Sequence, residues 1–160
     1  MEFKKRKPTR LKEFDYTTPG AYFITICVKD KKHLLGKIVG DDAHIVPKNS
    51  LSNYGIICEK YIRNINKKYE NVKVYNYVIM PNHILLIFSI SGTMWASSPT
   101  NNVESIIRSF KVLVTKEIGY SIWQRSFYDH IIRNEEDYKK IWEYIDENII
   151  KWEKDCYYIE

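Results

Sequence analysis

VIMPNHILLIF, residues 78–88, consists of two apolar runs separated by a Pro-Asn-His triplet. Each run has the β-branched and aliphatic character of a strand, and Pro-Asn is a turn signal. The stretch therefore predicts two consecutive strands, at 74–79 and 84–90, joined through Met80-Pro81-Asn82-His83. Side chains at i and i+2 of a strand point to the same face, so His83 and Leu85 share one side while Ile84 points to the other.

Working outward, AYFITICV at 21–28 follows the turn signal Pro19-Gly20 and reads as a first strand. Residues 33–46 read as a short hairpin turned at Gly40-Asp41-Asp42. Tyr54, Ile57, Cys58, Tyr61, Ile65 and Tyr69 recur at helical spacing, with Ser50 or Ser52 as the cap. The Gly-, Ser-, Pro-, Thr- and Asn-containing segment 91–102 reads as an exposed loop. Val103, Ile106, Ile107, Phe110, Val114 and Ile118 make a second helical stripe, ended by Gly119, with Arg108 and Lys111 lying off it. Residues 126–132 form a further strand. A third helix starts after Asn134, whose side chain suits an N-cap, with Glu135, Glu136 and Asp137 in its electropositive first turn. The order of elements predicts an α+β domain, an antiparallel β-sheet covered by helices. One domain spans 1–160, with a basic N-terminal tail over 1–12.

Composition narrows the class. The chain has 160 residues, of which 44% are hydrophobic and 28% charged, which fits a packed globular domain and not a disordered chain. No apolar run reaches membrane-spanning length and the charged start is not a signal peptide, which predicts a cytoplasmic protein with no membrane partner. Cys27, Cys58 and Cys156 are odd in number and far apart, so they read as reduced thiols and not as a zinc or disulfide framework. The net charge is +5, with Lys4, Lys5, Arg6, Lys7, Arg10 and Lys12 clustered at the start, and the chain carries thirteen Tyr, six Phe and four Trp. Basic charge and exposed aromatic faces suit phosphates and unpaired bases, although a mildly basic protein with a solvated tail has the same composition.

The chemistry-bearing residues are few. Two His residues at i and i+2 would make a half-site for a divalent metal, but only His83 is present, and a lone His beside a Pro-Asn turn is more often structural. In the third helix the apolar stripe is Tyr138, Ile141, Trp142, Ile145, Ile149 and Trp152. Tyr144 lies roughly 120° off its centre and Asn148 about 80° off on the same side. Four residues apart, the two share a patch of helix surface. A solvated Tyr and Asn on an amphipathic helix would look the same.

MPNHILLI together with WQRSFYDHIIRNEEDYKKIWEYIDEN resembles the REP-associated tyrosine transposases, relatives of the single-tyrosine insertion-sequence transposases in the HUH nuclease superfamily. The likeness extends to RLKEFDYTTPGAYFITICV and SIIRSFKVLVTKEIG, and so covers most of the chain. It implies a ferredoxin-like, HUH-type sandwich that cuts and rejoins single-stranded DNA with a tyrosine nucleophile and a Mg²⁺ or Mn²⁺ ion. His83 matches the first of the family's two metal histidines, Tyr144 its nucleophile and Asn148 the polar residue that completes the metal shell. Leu85 stands where the second histidine belongs and cannot ligate a metal. Ile149 replaces the proline that usually follows the Asn, which predicts a helix running on towards Trp152.

His130, in YDHIIRN, is a further candidate ligand, weighed against a hydrogen-bonded structural role. The DNA-binding candidates are Lys4, Lys5, Arg6, Lys7, Arg10, Arg108, Lys111 and Arg125, with single-stranded or hairpin DNA as the partner and a monomer or homodimer as the assembly. The alternative function is a degenerate relative that binds such DNA without cutting it. An RNA-binding module is disfavoured because no aromatic RNP pattern is present. If the face around His83 is open and polar, Leu85→His should be tolerated and should strengthen metal binding. If Leu85 is packed, the same change should destabilise the fold.

Overall fold

The structure, a computed structural model, describes residues 20–40, 47–91 and 102–160. The basic candidates Lys4, Lys5, Arg6, Lys7 and Arg10, the expected turn at Asp41-Asp42 and most of the expected loop at 91–102 lie outside these residues.

In chain order the elements are β1 (Gly20–Cys27), β2 (Gly36–Val39), β3 (Lys48–Leu51), α1 (Asn53–Lys68), β4 (Val72–Ile79), β5 (His83–Ile90), α2 (Val103–Ile118), β6 (Tyr128–Ile132) and α3 (Glu135–Glu147). The main sheet has the order β4-β5-β1-β6, and every neighbouring pair in it is antiparallel. Leaving aside the small β2–β3 pair and α3, the chain runs β-α-β-β-α-β, a ferredoxin-like arrangement. The α+β fold expected from the order of elements is therefore present.

The Pro-Asn break does what its residues suggest. Pro81 and Asn82 are the centre of a tight turn closed by Met80 N donating to the His83 carbonyl at 2.8 Å. Neighbouring backbone uses the turn's carbonyls: Leu35 N donates to Pro81 O and Val28 N to Asn82 O. The turn is pinned from two sides, which fixes where β5 starts and places His83 as its first residue.

Alternation along β5 then sorts its side chains. Ile84, Leu86, Phe88 and Ile90 join one large apolar cluster with residues of α1 and α2, while Leu85 and Ile87 face α3 and pack with Ile145. The sheet is thus covered on both sides, by α1 and α2 on one and by α3 on the other, which is why β5 can be apolar on both faces.

Helix ends follow local chemistry. Ser52, and not Ser50, caps α1 by accepting from Gly55 N, and Gly55 sits so close to Leu35 that an added Cβ would meet its carbonyl oxygen at 2.2 Å. Asn102 and Ser105 form a reciprocal capping box at the start of α2, and Gly119, at φ 101°, ends it in the left-handed conformation that glycine adopts without strain. Asn134 caps α3 by accepting from Asp137 N.

Several boundaries differ from expectation, among them the starts of β4 at Val72 and not 74 and of β5 at His83 and not 84. The second strand of the small hairpin is Lys48–Leu51, later than the 33–46 window, where Asn49 Nδ2 donates to the Ile79 carbonyl. Side-chain anchoring there outweighs the weak strand propensity of Lys-Asn-Ser. The last sheet strand begins at Tyr128 and not at 126. The third helix does not run on to Trp152: α3 ends at Glu147, and the chain turns through 148–151 into a short 3₁₀ segment at Trp152–Lys154. No described helix is long and apolar enough to cross a membrane.

Candidate active site

That reversal after α3 builds the site. It folds residues 152–158 back over the start of β5, where Trp152 is buried and its ring lies 5.7 Å from that of His33 and 5.9 Å from that of His83. The Tyr157 ring lies closer still to His83, at 4.6 Å and tilted by 34°. The segment is held down by Asn82 Nδ2, which donates to the Tyr157 carbonyl at 2.8 Å and to the Lys31 carbonyl at 3.3 Å.

His83 is fully buried, and its tautomer follows from its neighbours. Because the Asn82 amide nitrogen is spent on two carbonyls, Asn82 Oδ1 is the acceptor facing His83 Nδ1 at 2.8 Å. Nδ1 therefore carries the proton and Nε2 keeps a bare lone pair. Burial pushes the imidazole pKa down to about 4, partly offset by the Asp155 carboxylate and the Asn148 side chain nearby, so the ring is neutral at physiological pH.

Asn148, 2% exposed, donates from Nδ2 to Asp155 Oδ2 at 2.8 Å. The same carboxylate oxygen accepts from the Tyr144 hydroxyl at 3.0 Å. Asn148 thus lies beside the His83 ring, but His83 Nε2 and Asn148 Oδ1, both buried, make no hydrogen bond. Both are acceptors, with no proton between them to share.

Tyr144 is 40% exposed, with its ring edge-on to Phe23 of β1 at 6.1 Å. Burial of its inner part, and then the Asp155 carboxylate, push the phenol pKa upward. In this arrangement the hydroxyl is a hydrogen-bond donor and not a phenolate.

The structure brings three of the sequence candidates, His83, Tyr144 and Asn148, into one cluster. Asp155, which sequence reasoning passed over, joins them. Other candidates lie elsewhere. His130 is on β6, where its Nε2 pairs with Asp137 Oδ2 at 2.7 Å in the first turn of α3. It sits beside Phe23 while His83 sits beside Cys27, four residues apart along β1, or roughly 13 Å of strand. His130 is thus apart from the cluster and hydrogen-bonded to Asp137.

Leu85 is fully buried against Ile87 and Ile145, with Phe23, Val78, Ile132 and Trp142 around them. The open, polar surroundings considered for position 85 are absent, because α3 lays its apolar stripe directly over it. Arg108 pairs with Glu104 at 3.0 Å. Lys111 Nζ donates to the carbonyls of Gln124 and Ser126, tying α2 to the segment before β6. Arg125 is exposed on that segment. Arg108 and Lys111 belong to α2, on the opposite side of the sheet from α3. Beside the site, Trp152 also lines an open groove of about 1000 Å³, with His33, Lys37, Lys154 and Tyr158 along it.

Cys27 and Cys58 are buried and Cys156 is exposed, and all three are free thiols. Burial pushes Cys27 up to about 11 and Cys58 to about 12, which makes them inert at neutral pH. Among the described residues no group of three His, Cys, Asp or Glu side chains could hold a metal.

The fold is similar to those of two solved transposases. A REP-associated tyrosine transposase solved bound to a REP hairpin superposes with a TM-score of 0.66 at 21% identity, covering 89% of this chain and 74% of that one. A crystal structure of a candidate transposase from Deinococcus radiodurans superposes at 0.50 and 13% identity, covering 86% of this chain and 96% of that one. No protein-family profile matches. In sequence, a Haemophilus influenzae protein without an assigned function is 36% identical over 176 residues, spanning 97% of this chain and 94% of its own. The chain belongs to the same family as that Haemophilus protein.

Proposed function

We propose that the protein binds single-stranded or hairpin DNA and cleaves and rejoins it through Tyr144. The observation that carries this reading is the convergence of the Tyr144 hydroxyl and the Asn148 amide on one carboxylate oxygen, beside a buried His83 with a bare Nε2. It is supported by the tyrosine-transposase fold, by the neighbour solved with a REP hairpin and by the groove lined with Lys37, Lys154, Trp152 and Tyr158.

In the proposed reaction the Tyr144 oxygen forms a bond to a backbone phosphorus, and the bond from that phosphorus to the 3′ oxygen breaks. The products are a 5′-phosphotyrosyl link and a free 3′-hydroxyl, and the reverse step rejoins the strand. The phenol proton must leave as the bond forms, since a neutral phenol is a poor nucleophile. Asp155 Oδ2, already the partner of that hydroxyl, is placed to take it. Phe23 and Asp155 hold the Tyr144 side chain from two directions, which limits the orientations it loses on attack.

A divalent metal fits the residues present, because two buried, unbonded acceptors, His83 Nε2 and Asn148 Oδ1, are the donor pair it needs. When bound there, it supplies a Lewis acid for the phosphate oxygens. With Leu85 in place of a second imidazole the site should hold metal weakly. Loss of even an outer-shell partner costs about 10- to 100-fold in metal affinity or activity.

The test is a hairpin-flanked single strand incubated with Mn²⁺ and run on a denaturing gel. Wild type should give a covalent protein–DNA band, and Tyr144→Phe should lose it while keeping the DNA affinity measured by fluorescence anisotropy. That affinity should fall steeply with salt. Absence of a band from wild type, with hairpin binding intact, would favour the non-cleaving DNA-binding alternative.

A further inference from the structure

The sequence leaves the metal site one ligand short, and the structure contains a side chain that could make up the shortfall. We infer that Asp155 takes the place of the missing second imidazole, so that His83 Nε2, Asn148 Oδ1 and the Asp155 carboxylate together form a divalent-cation site. The inference rests on the metal reading proposed above and goes further, because it assigns a ligand from the C-terminal segment that the strand motif does not contain.

Three observations carry it. The first is the orientation of the two neutral donors. Asn82 fixes the His83 proton on Nδ1, and the Asp155 contact fixes the Asn148 amide with its nitrogen outward, so each presents a lone pair that nothing in the structure satisfies. Buried acceptors left without a donor are unfavourable unless something positive lies against them.

The second is the state of the carboxylate. Asp155 Oδ2 accepts from Tyr144 and Asn148, and Oδ1 accepts from Tyr157 N at 2.8 Å. A carboxylate offers about four lone-pair positions; three accept these bonds and the weakly donating Cys156 thiol also reaches the group, so a cation would displace at most that thiol.

The third is how firmly the segment is placed. Asp155 follows the 3₁₀ turn whose Trp152 packs on His83, and it precedes Tyr157, which stacks on the same ring and is tied to Asn82 through its carbonyl. The carboxylate is therefore anchored on both sides of the site. One imidazole nitrogen with a carbonyl and a carboxylate oxygen is a donor set suited to Mn²⁺, and less so to Zn²⁺, since no thiolate or second imidazole is present.

The same segment explains how a chain with Leu85 can keep the chemistry. In β5 the residue two places beyond His83 is committed to the apolar contact with Ile145, so the compensating donor has to come from outside the strand.

The experiment is Mn²⁺ titration of the full chain, without DNA, followed by the loss of the free-ion electron paramagnetic resonance signal and by the Mn²⁺-induced rise in melting temperature. Wild type should bind. Asp155→Ala and the near-isosteric Asp155→Asn should each weaken binding at least about tenfold, the scale on which ligand support matters, and His83→Ala should do the same. Far-UV circular dichroism checks that each variant is folded, and Asp155→Asn keeps the test open if the alanine variant is not. If Asp155→Asn binds Mn²⁺ as wild type does while His83→Ala does not, Asp155 is no ligand and the metal reading stands without it. If wild type fails to bind Mn²⁺ at millimolar concentration, both fall together.

Discussion

The side of the sheet under α1 and α2 buries twenty-two described residues in one apolar cluster, whereas the side under α3 buries only Leu85, Ile87 and Ile145 in its own. Beside that small cluster, with Cys27 and Trp152, come the buried polar groups Thr25, Asn82, His83 and Asn148, all nearly inaccessible. One side holds the fold together. The other spends its buried positions on side chains that cost energy to bury unless they are paired. A small domain can keep such groups where they serve a site, and here Asn148 shares the Asp155 carboxylate with Tyr144.

This contrast can be broken first on its strong side. Phe88 is fully buried in the large cluster and tilted against Tyr22 at 6.1 Å, so Phe88→Ala should cost about 3–5 kcal/mol in urea unfolding. A cost much under that range would show that the α1/α2 side is not the main source of stability.

The next largest effect is on the thin side. Leu85→His places an imidazole among Ile87, Ile145 and Phe23, where its nitrogens lack partners, for roughly 1–3 kcal/mol. The melting temperature of the metal-free variant should fall. An unchanged value would show that the α3 side tolerates a polar group at position 85 and is more open than its burial indicates.

The smallest effect is at the helix caps. Asn134→Ala removes the α3 cap and Asn102→Ala the α2 cap, each worth about 1 kcal/mol. Both should lower thermal stability similarly, but only the α3 variant should also reduce adduct formation, because α3 alone carries Tyr144. Equal loss of adduct in both would mean that the site depends on global stability and not on its own helix.

What could be read from the sequence follows from how local each feature is. The Pro-Asn turn, the Asn134 cap and the Gly119 stop are decided within a few residues, and each lies where its chemistry implies. The off-stripe position of Tyr144 and Asn148 was also legible, since one helix fixes both. Position 85 was not, because whether it faces solvent or a core depends on α3 crossing the sheet there.

Asp155 was the least visible. Its contact with Tyr144 spans eleven residues and requires the chain to reverse after Glu147. The helical stripe continues in the sequence through Ile149 to Trp152, but Trp152 is buried by packing on His33 and His83 instead. The clue in the sequence was the density of Trp, Asp and Tyr in WEKDCYY, too much for a frayed tail, though spacing alone could not say what that segment covers.

In the proposed reaction Tyr144 is the residue joined to DNA. This is tested most directly by forming the adduct on a hairpin-flanked single strand with Mn²⁺, digesting it with nuclease and protease, and locating the nucleotide remnant by mass spectrometry. A phosphonucleotide is expected on the peptide containing Tyr144 and on no other. A remnant on Tyr128, Tyr138, Tyr157 or Tyr158 would contradict it.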